Sequence, residues 1–219
     1  MLSGVAFTNG VGTISLKHGE SKLIEDIPSG TTYSVVEEQS GLYRPIMTTG
    51  DAGTIEDGKT AEASFVNIHL KEEEPGEDEV NLTVSKKVLP EDAGAGEKFQ
   101  FTAVFERLRA NWNYGLSDET EFKSDADGKA TVTFTLGKGE NVTFLHLPAG
   151  CTYRFTEAAG AYTSSYALTD AAGLQKIATA SGTNTEEDQE ISTATETADK
   201  GEKVTITFTN EFQMSQDLT

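Results

Sequence analysis

Cysteine is nearly absent. The 219 residues hold one, Cys151, so no disulfide can form within the chain. A catalytic thiol would need a histidine partner, and His18, His69 and His146 form no pattern that supplies one. Basic residues are also scarce: 17 Lys and Arg stand against 36 Asp and Glu, for a formal net charge of −19. Nucleic acid and anionic membrane surfaces both require a basic patch, so neither is expected as a partner. No apolar run reaches membrane-spanning length. Met1-Leu2-Ser3 leads straight into strand-like sequence without a secretory leader, and no sorting motif closes the chain. The protein is therefore either cytoplasmic or an internal piece of something larger. A serine triad, zinc-ligand spacing and a phosphate loop are all missing. Asp125-x-Asp127-Gly128 begins like a calcium loop but lacks the later ligands, and reads as a hairpin turn. No metal, no cofactor and no enzymatic activity are expected.

What the chain does have is Thr, Gly, aromatic and β-branched residue content that points to an all-β protein. Short strands separated by turn chemistry, such as Asn9-Gly10, Lys17-His18-Gly19-Glu20 and Pro28-Ser29-Gly30, favour a sandwich over a barrel. One segment, Val104–Ala110, reads as a brief helix.

The sequence also repeats itself. Residues 13–37, TISLKHGESKLIEDIPSGTTYSVVE, align without a gap to residues 133–157, TFTLGKGENVTFLHLPAGCTYRFTE, at a constant offset of 120 (157 − 37). Pro28 matches Pro148, Gly30 matches Gly150, Thr31 matches Cys151, Tyr33 matches Tyr153 and Glu37 matches Glu157. Further on, Asn67 matches Asn210 at an offset of 143 (210 − 67), the excess falling in the Thr-, Ser- and Glu-rich stretch 179–199. The block from Lys71 to Glu79, with Pro75-Gly76 at its centre, reads as an exposed, self-repelling linker. The expected organisation is a first copy over 1–69, a linker over 70–79, a second copy over 80–213 and a tail over 214–219. The second copy opens with two strands, Val80–Val88 and Phe99–Phe105, whose counterparts would precede residue 1. The first copy is thus expected to lack its N-terminal strands.

Three polar residues fall where a strand should point apolar side chains inward. Residues two apart share a face of a strand. Lys86 lies in line with Leu82, Val84 and Val88, Glu157 with Tyr153 and Phe155, and Asn210 with Val204, Ile206, Phe208 and Phe212. Each would be costly to bury alone.

Val84-Ser85-Lys86 in a first strand, Tyr153-x-Phe155-x-Glu157 after Leu147-Pro148-Ala149-Gly150, and Thr207-Phe208-Thr209-Asn210 in the last strand resemble the Cna B-type domain of Gram-positive adhesins and pilin stalks. The resemblance implies two tandem Ig-like β-sandwich domains. It also implies an autocatalytic amide (isopeptide) bond between Lys86 and Asn210, assisted by Glu157 as proton shuttle. Glu37 and Asn67 are the first-copy counterparts, with no lysine to match. The implied role is a structural stalk segment of a surface protein attached to the cell wall, whose partners are neighbouring domains of the same protein. The alternative is an adhesin module that binds a host matrix or cell-surface ligand through loop 106–121, around Trp112 and Tyr114, or through loop 179–199.

Overall fold

Apolar and polar residues alternate through most of the chain, and the strands follow that alternation. A computed structural model describes residues 3–158, 162–170, 175–177 and 190–211. Two compact units emerge: one comprises Met1–Glu38 with Pro45–Asn67, the other Gln39–Arg44 with Ile68–Thr219. The protein is all-β, with one 3-10 turn, Leu70–Glu72, among the described residues.

In the first unit, β1 (Thr32–Ser34) and β2 (Tyr43–Thr49, whose first two residues belong to the second unit) are followed by β3 (Ala52–Thr54) and β4 (Ser64–His69, whose last two residues belong to the second unit). β1 pairs with β3, and β2 with β4. Asn9 and Gly10, both at positive φ, close the expected hairpin between Thr8 and Val11.

The second unit is the sandwich. Its strands are β5 (Glu79–Leu89), β6 (Lys98–Glu106), β7 (Asn113–Gly115), β8 (Glu121–Lys123), β9 (Ala130–Gly137), β10 (Asn141–Pro148), β11 (Thr152–Glu157), β12 (Thr163–Thr169), β13 (Gln175–Ile177), β14 (Ile191–Ser192), β15 (Glu196–Thr197) and β16 (Lys203–Glu211). One sheet runs β10-β5-β16-β12-β13. The other runs β14-β11-β6-β9, with β15 also on β11. β5 and β16 are parallel neighbours, an arrangement that only strands far apart in sequence can adopt. The sheets meet through aromatic rings: Phe101 reaches Phe208 at 5.3 Å between centroids, and Phe144 reaches Phe155 at 5.5 Å. Ring pairs at such separations add to the burial that drives the layers together.

Val104–Ala110 is not helical. β6 runs on to Glu106 because Ala103 and Phe105 bury against the core and pair with β9 and β11. At the ends of the expected linker, Leu70 is buried and Glu79 opens β5.

The repeat is visible in the backbone. Gly30 N–H donates to Ile55 O and Gly150 N–H to Ala198 O, both at 2.8 Å. Thr31 accepts from Ile55 N–H at 2.8 Å as Cys151 does from Ala198 N–H at 2.9 Å. Gly30 and Gly150 share the left-handed backbone, φ 86° and 85°, which explains glycine at both places. β1 on β3 aligns Tyr33 with Gly53; β11 on β15 aligns Tyr153 with Glu196. The two offsets, 120 before the long loop and 143 after it, hold through both pairs.

Candidate functional site

β5 buries Val80, Leu82, Val84, Lys86 and Val88 on one face, and leaves Lys87 exposed. β11 buries Tyr153, Phe155 and Glu157, and β16 buries Val204, Ile206, Phe208 and Asn210. The three polar residues therefore enter the space between the sheets, within a shell that is otherwise mostly aromatic and aliphatic. Lys86 is 1% exposed; Glu157 and Asn210 are wholly buried. Phe212 lies outside the described residues.

One carboxylate oxygen joins the cluster. Glu157 Oε1 is 2.7 Å from Lys86 Nζ and accepts a hydrogen bond from Asn210 Nδ2 at 2.8 Å. Lys86 Nζ also lies 4.4 Å from the centre of the Phe99 ring. In the parallel register of β5 and β16, Lys86 stands opposite Phe208 and Val88 opposite Asn210. Lys86 and Asn210 are thus diagonal neighbours on one face, within reach of a long side chain.

Burial sets the electrostatics. It pulls the Lys86 amine down from its ordinary value to about 8, against the attraction of the Glu157 carboxylate. It also raises the Glu157 carboxyl, against Lys86 and the Asn210 amide. Both shifts favour moving one proton from nitrogen to oxygen, which leaves a neutral amine beside a neutral acid. Glu157 Oε2 and Asn210 Oδ1 have no hydrogen-bond partner among the described residues. A proton on Oε2 makes the first a donor, and the second is an acceptor still open in the same cluster.

Sequence reasoning missed two residues here. Phe99, on the inward face of β6, covers the amine. Ser164, aligned with Asn210 in the β12–β16 pairing, is buried with its hydroxyl unpartnered among the described residues. Both share the inward parity of their strands, so alternation could have found them.

A second polar cluster was not foreseen. His146, at the β-bulge of β10, places Nδ1 2.7 Å from Glu79 Oε2 and Nε2 2.9 Å from Leu70 O. Nδ1 also lies 3.3 Å from Arg44 Nη2. Arg44 Nη2 donates to Glu79 Oε1 at 2.9 Å. Burial pushes the Glu79 carboxyl up, but His146, the Gly76 N–H and Arg44 outweigh it and hold the group below its ordinary value.

Glu37 and Asn67 come together in the first unit. Asn67 Nδ2 donates to Glu37 Oε1 at 2.6 Å, the same bond as Asn210 to Glu157, but both residues are exposed. No ion pair to Glu37 exists among the described residues. In the 106–121 loop, Trp112 packs against the core and under Arg109, 3.5 Å from its ring centre, and the Tyr114 hydroxyl accepts from Arg109 N–H. These contacts account for both aromatics as loop packing. Most of loop 179–199 lies outside the described residues. No metal-holding cluster occurs among the described residues. Cys151 is buried, and burial drives its thiol up to about 12.

Comparison with known proteins agrees with this architecture. The family described as a domain of unknown function, DUF7601, matches residues 3–69 and 80–212. The major pilin of Streptococcus pyogenes, in a variant with one asparagine replaced by alanine, is similar at 19% identity and TM-score 0.50, over 86% of this chain and 72% of the pilin. The unmutated major pilin gives 20% identity and TM-score 0.49, over 81% of this chain and 66% of the pilin. A pilus-presented adhesin, Cpa, gives 22% identity and TM-score 0.41, over 63% of this chain and 28% of the adhesin. The chain thus spans under two thirds of these last two. The likeness is one of fold. Curated proteins return no match.

Proposed function

The chain belongs to the DUF7601 family, and from that premise we propose that it is a stalk segment of a Gram-positive surface adhesin or pilus-like protein, stabilised by an amide bond between Lys86 and Asn210. The observation that carries this reading is the wholly buried Lys86–Glu157–Asn210 cluster, with one carboxylate oxygen 2.7 Å from the amine and 2.8 Å from the amide. The pilin-like fold supports placement at the cell surface. Residues 80–213 form the crosslinked domain, 70–79 connect it to the copy at 1–69, and neighbouring domains of the same protein are its partners.

The chemistry follows from the geometry. Neutral Lys86 Nζ attacks Asn210 Cγ, while protonated Glu157 polarises the carbonyl oxygen. Glu157 then passes a proton to Nδ2, the Cγ–Nδ2 bond breaks, and ammonia leaves. Fixed placement supplies the effective concentration that a poor electrophile needs. The reaction turns over once, so the protein is its own substrate.

The bond would join the first and last strands of the sandwich where they lie side by side. Tension entering before β5 and leaving after β16 shears that parallel pair. An amide across it carries the load past everything between residues 86 and 210. Pulling single molecules from both ends tests this. The 123 residues between the two positions should release no length in the native chain. In Lys86→Ala they should release on the order of 400 Å. The same release from both would contradict the stalk reading.

A further inference from the structure

In the Lys86–Asn210 reaction, Glu157 has one proton and two tasks. That proton polarises the Asn210 carbonyl during attack, and Nδ2 needs it when ammonia leaves. As Nζ bonds to Cγ, the carbonyl electron pair moves onto Oδ1, which becomes an oxyanion inside the buried cluster. Such an oxygen is best stabilised by a fixed donor that keeps its own proton throughout.

β12 carries a residue placed for this. Its inward face holds Ser164, Tyr166 and Leu168, and Ser164 is 1% exposed. The antiparallel pairing of β12 with β16 sets Ser164 directly opposite Asn210. At such positions the Cβ atoms of side chains on one face stand about 4.5–5.5 Å apart. Ser164 Oγ and Asn210 Oδ1 both lack a hydrogen-bond partner among the described residues. The hydroxyl is a donor that can rotate, and the carbonyl oxygen is an acceptor with two lone pairs. Burying a hydroxyl without a partner is costly, and alanine at this place would avoid the cost. β16 lies between β5 and β12. The strand of the attacking amine is therefore on one side of Asn210 and the strand of the serine on the other, so the donor does not obstruct the approach.

We propose that Ser164 is the second hydrogen-bond donor to the Asn210 carbonyl oxygen, beside Glu157. The inference rests on the Lys86–Asn210 reading. Before attack, a bond from Ser164 Oγ to Oδ1 fixes which end of the carboxamide is oxygen and keeps the leaving nitrogen on Glu157 Oε1, where Nδ2 already donates at 2.8 Å. During attack the hydroxyl keeps its proton and donates to the oxyanion. The Glu157 proton then passes to Nδ2, the Cγ–Nδ2 bond breaks, ammonia leaves, and Glu157 recovers a proton from Nζ. Ser164 neither gains nor loses one.

Refolding supplies the clock. The native chain, Ser164→Ala and Ser164→Thr are recovered in guanidinium from inclusion bodies, the fraction at full sequence mass is isolated, and dilution starts the reaction. Trp112, the single tryptophan, packs against the core and reports folding by fluorescence, while intact mass reports ammonia loss. Ser164→Ala should fold as the native chain does but lose ammonia at least about tenfold more slowly. The factor should be the same across pH, because the hydroxyl does not titrate. Ser164→Thr keeps the hydroxyl and should react like the native chain. A smaller effect in Ser164→Ala overturns the proposal. A threonine variant as slow as the alanine one also overturns it, by assigning the effect to packing. In the Asn210→Ala background, adding Ser164→Ala should not lower the melting point; a lower one would show that the hydroxyl serves the fold and would contradict the proposal. The native chain separates the two claims. If it loses ammonia and Ser164→Ala keeps pace, only the Ser164 donor fails. If it folds and stays at full mass, the Lys86–Asn210 reading fails with it.

Discussion

Lys86 Nζ lies 2.7 Å from Glu157 Oε1, and neither side chain touches water. As an ion pair this is a poor stabiliser, because the cost of stripping two charges of water rivals their attraction. A pair placed to exchange a proton beside an amide makes better chemical than structural sense. The predictions below follow from that placement.

Asn210→Ala keeps the Lys86–Glu157 pair but removes the electrophile. Closing a loop of this size contributes roughly 5 kcal/mol through the unfolded state, by analogy with a disulfide. For a domain of this length that corresponds to a melting point lower by about 10–20 °C. Lys86→Met should fall by a similar amount. Calorimetry on the three chains decides it, and equal midpoints would refute the bond.

The unbonded pair should have its own pH signature. In Asn210→Ala, Glu157 stays raised, so its contribution is present below the ordinary carboxyl value of 4.5 and is lost as pH rises through the raised value. Lys86 titrates near 8 in the folded chain and 10.5 unfolded, so the unfolded state holds more protons between them and stability recovers over that span. Melting curves of Asn210→Ala should dip near neutrality and rise from about pH 8 towards 10.5. Adding Lys86→Met should remove the alkaline rise, and a rise that persists unchanged would assign it to other groups.

Much of this was legible in the sequence because alternation is a local signal. It located the buried faces of β5, β11 and β16 and hence Lys86, Glu157 and Asn210. A slip of one residue would put Lys87 inward in place of Lys86; in the structure Lys87 is in solvent. The repeat arithmetic matched Glu37 to Glu157 and Asn67 to Asn210, and in the structure Glu37 and Asn67 are hydrogen-bonded. Val104–Ala110 was misread because its residues suit either element, and pairing on both sides of β6 decides for strand. The Arg44–Glu79–His146 cluster was invisible. Arg44 and His146 lie 102 positions apart, and no periodicity links an arginine, an acid in a charge block and a histidine on a bulge.

That cluster makes a prediction of its own. The lowered Glu79 carboxyl contributes stability above 4.5, which is lost as pH falls through its depressed value. Glu79→Gln should cost about 1–2 kcal/mol at pH 7, since the carboxylate accepts from the Arg44 guanidinium in a partly buried setting. The gap to the native chain should close in urea titrations as pH falls below 4.5 and through the depressed value. A gap independent of pH would mean that the carboxylate charge is not what matters.

Cys151 offers a check on the core. Its thiol is buried and pushed up to about 12, so iodoacetamide should leave the folded chain unmodified at pH 8 and label it fully in denaturant. Rapid labelling of the native protein would show that this end of the sandwich opens readily.

The most direct test of the crosslink is the intact mass of the purified chain. The bond predicts a mass below that of the sequence by one ammonia, with the deficit mapped to a peptide joining Lys86 to Asn210 and absent from Lys86→Ala and Asn210→Ala. A folded chain at full sequence mass, with the two residues recovered in separate peptides, would contradict it.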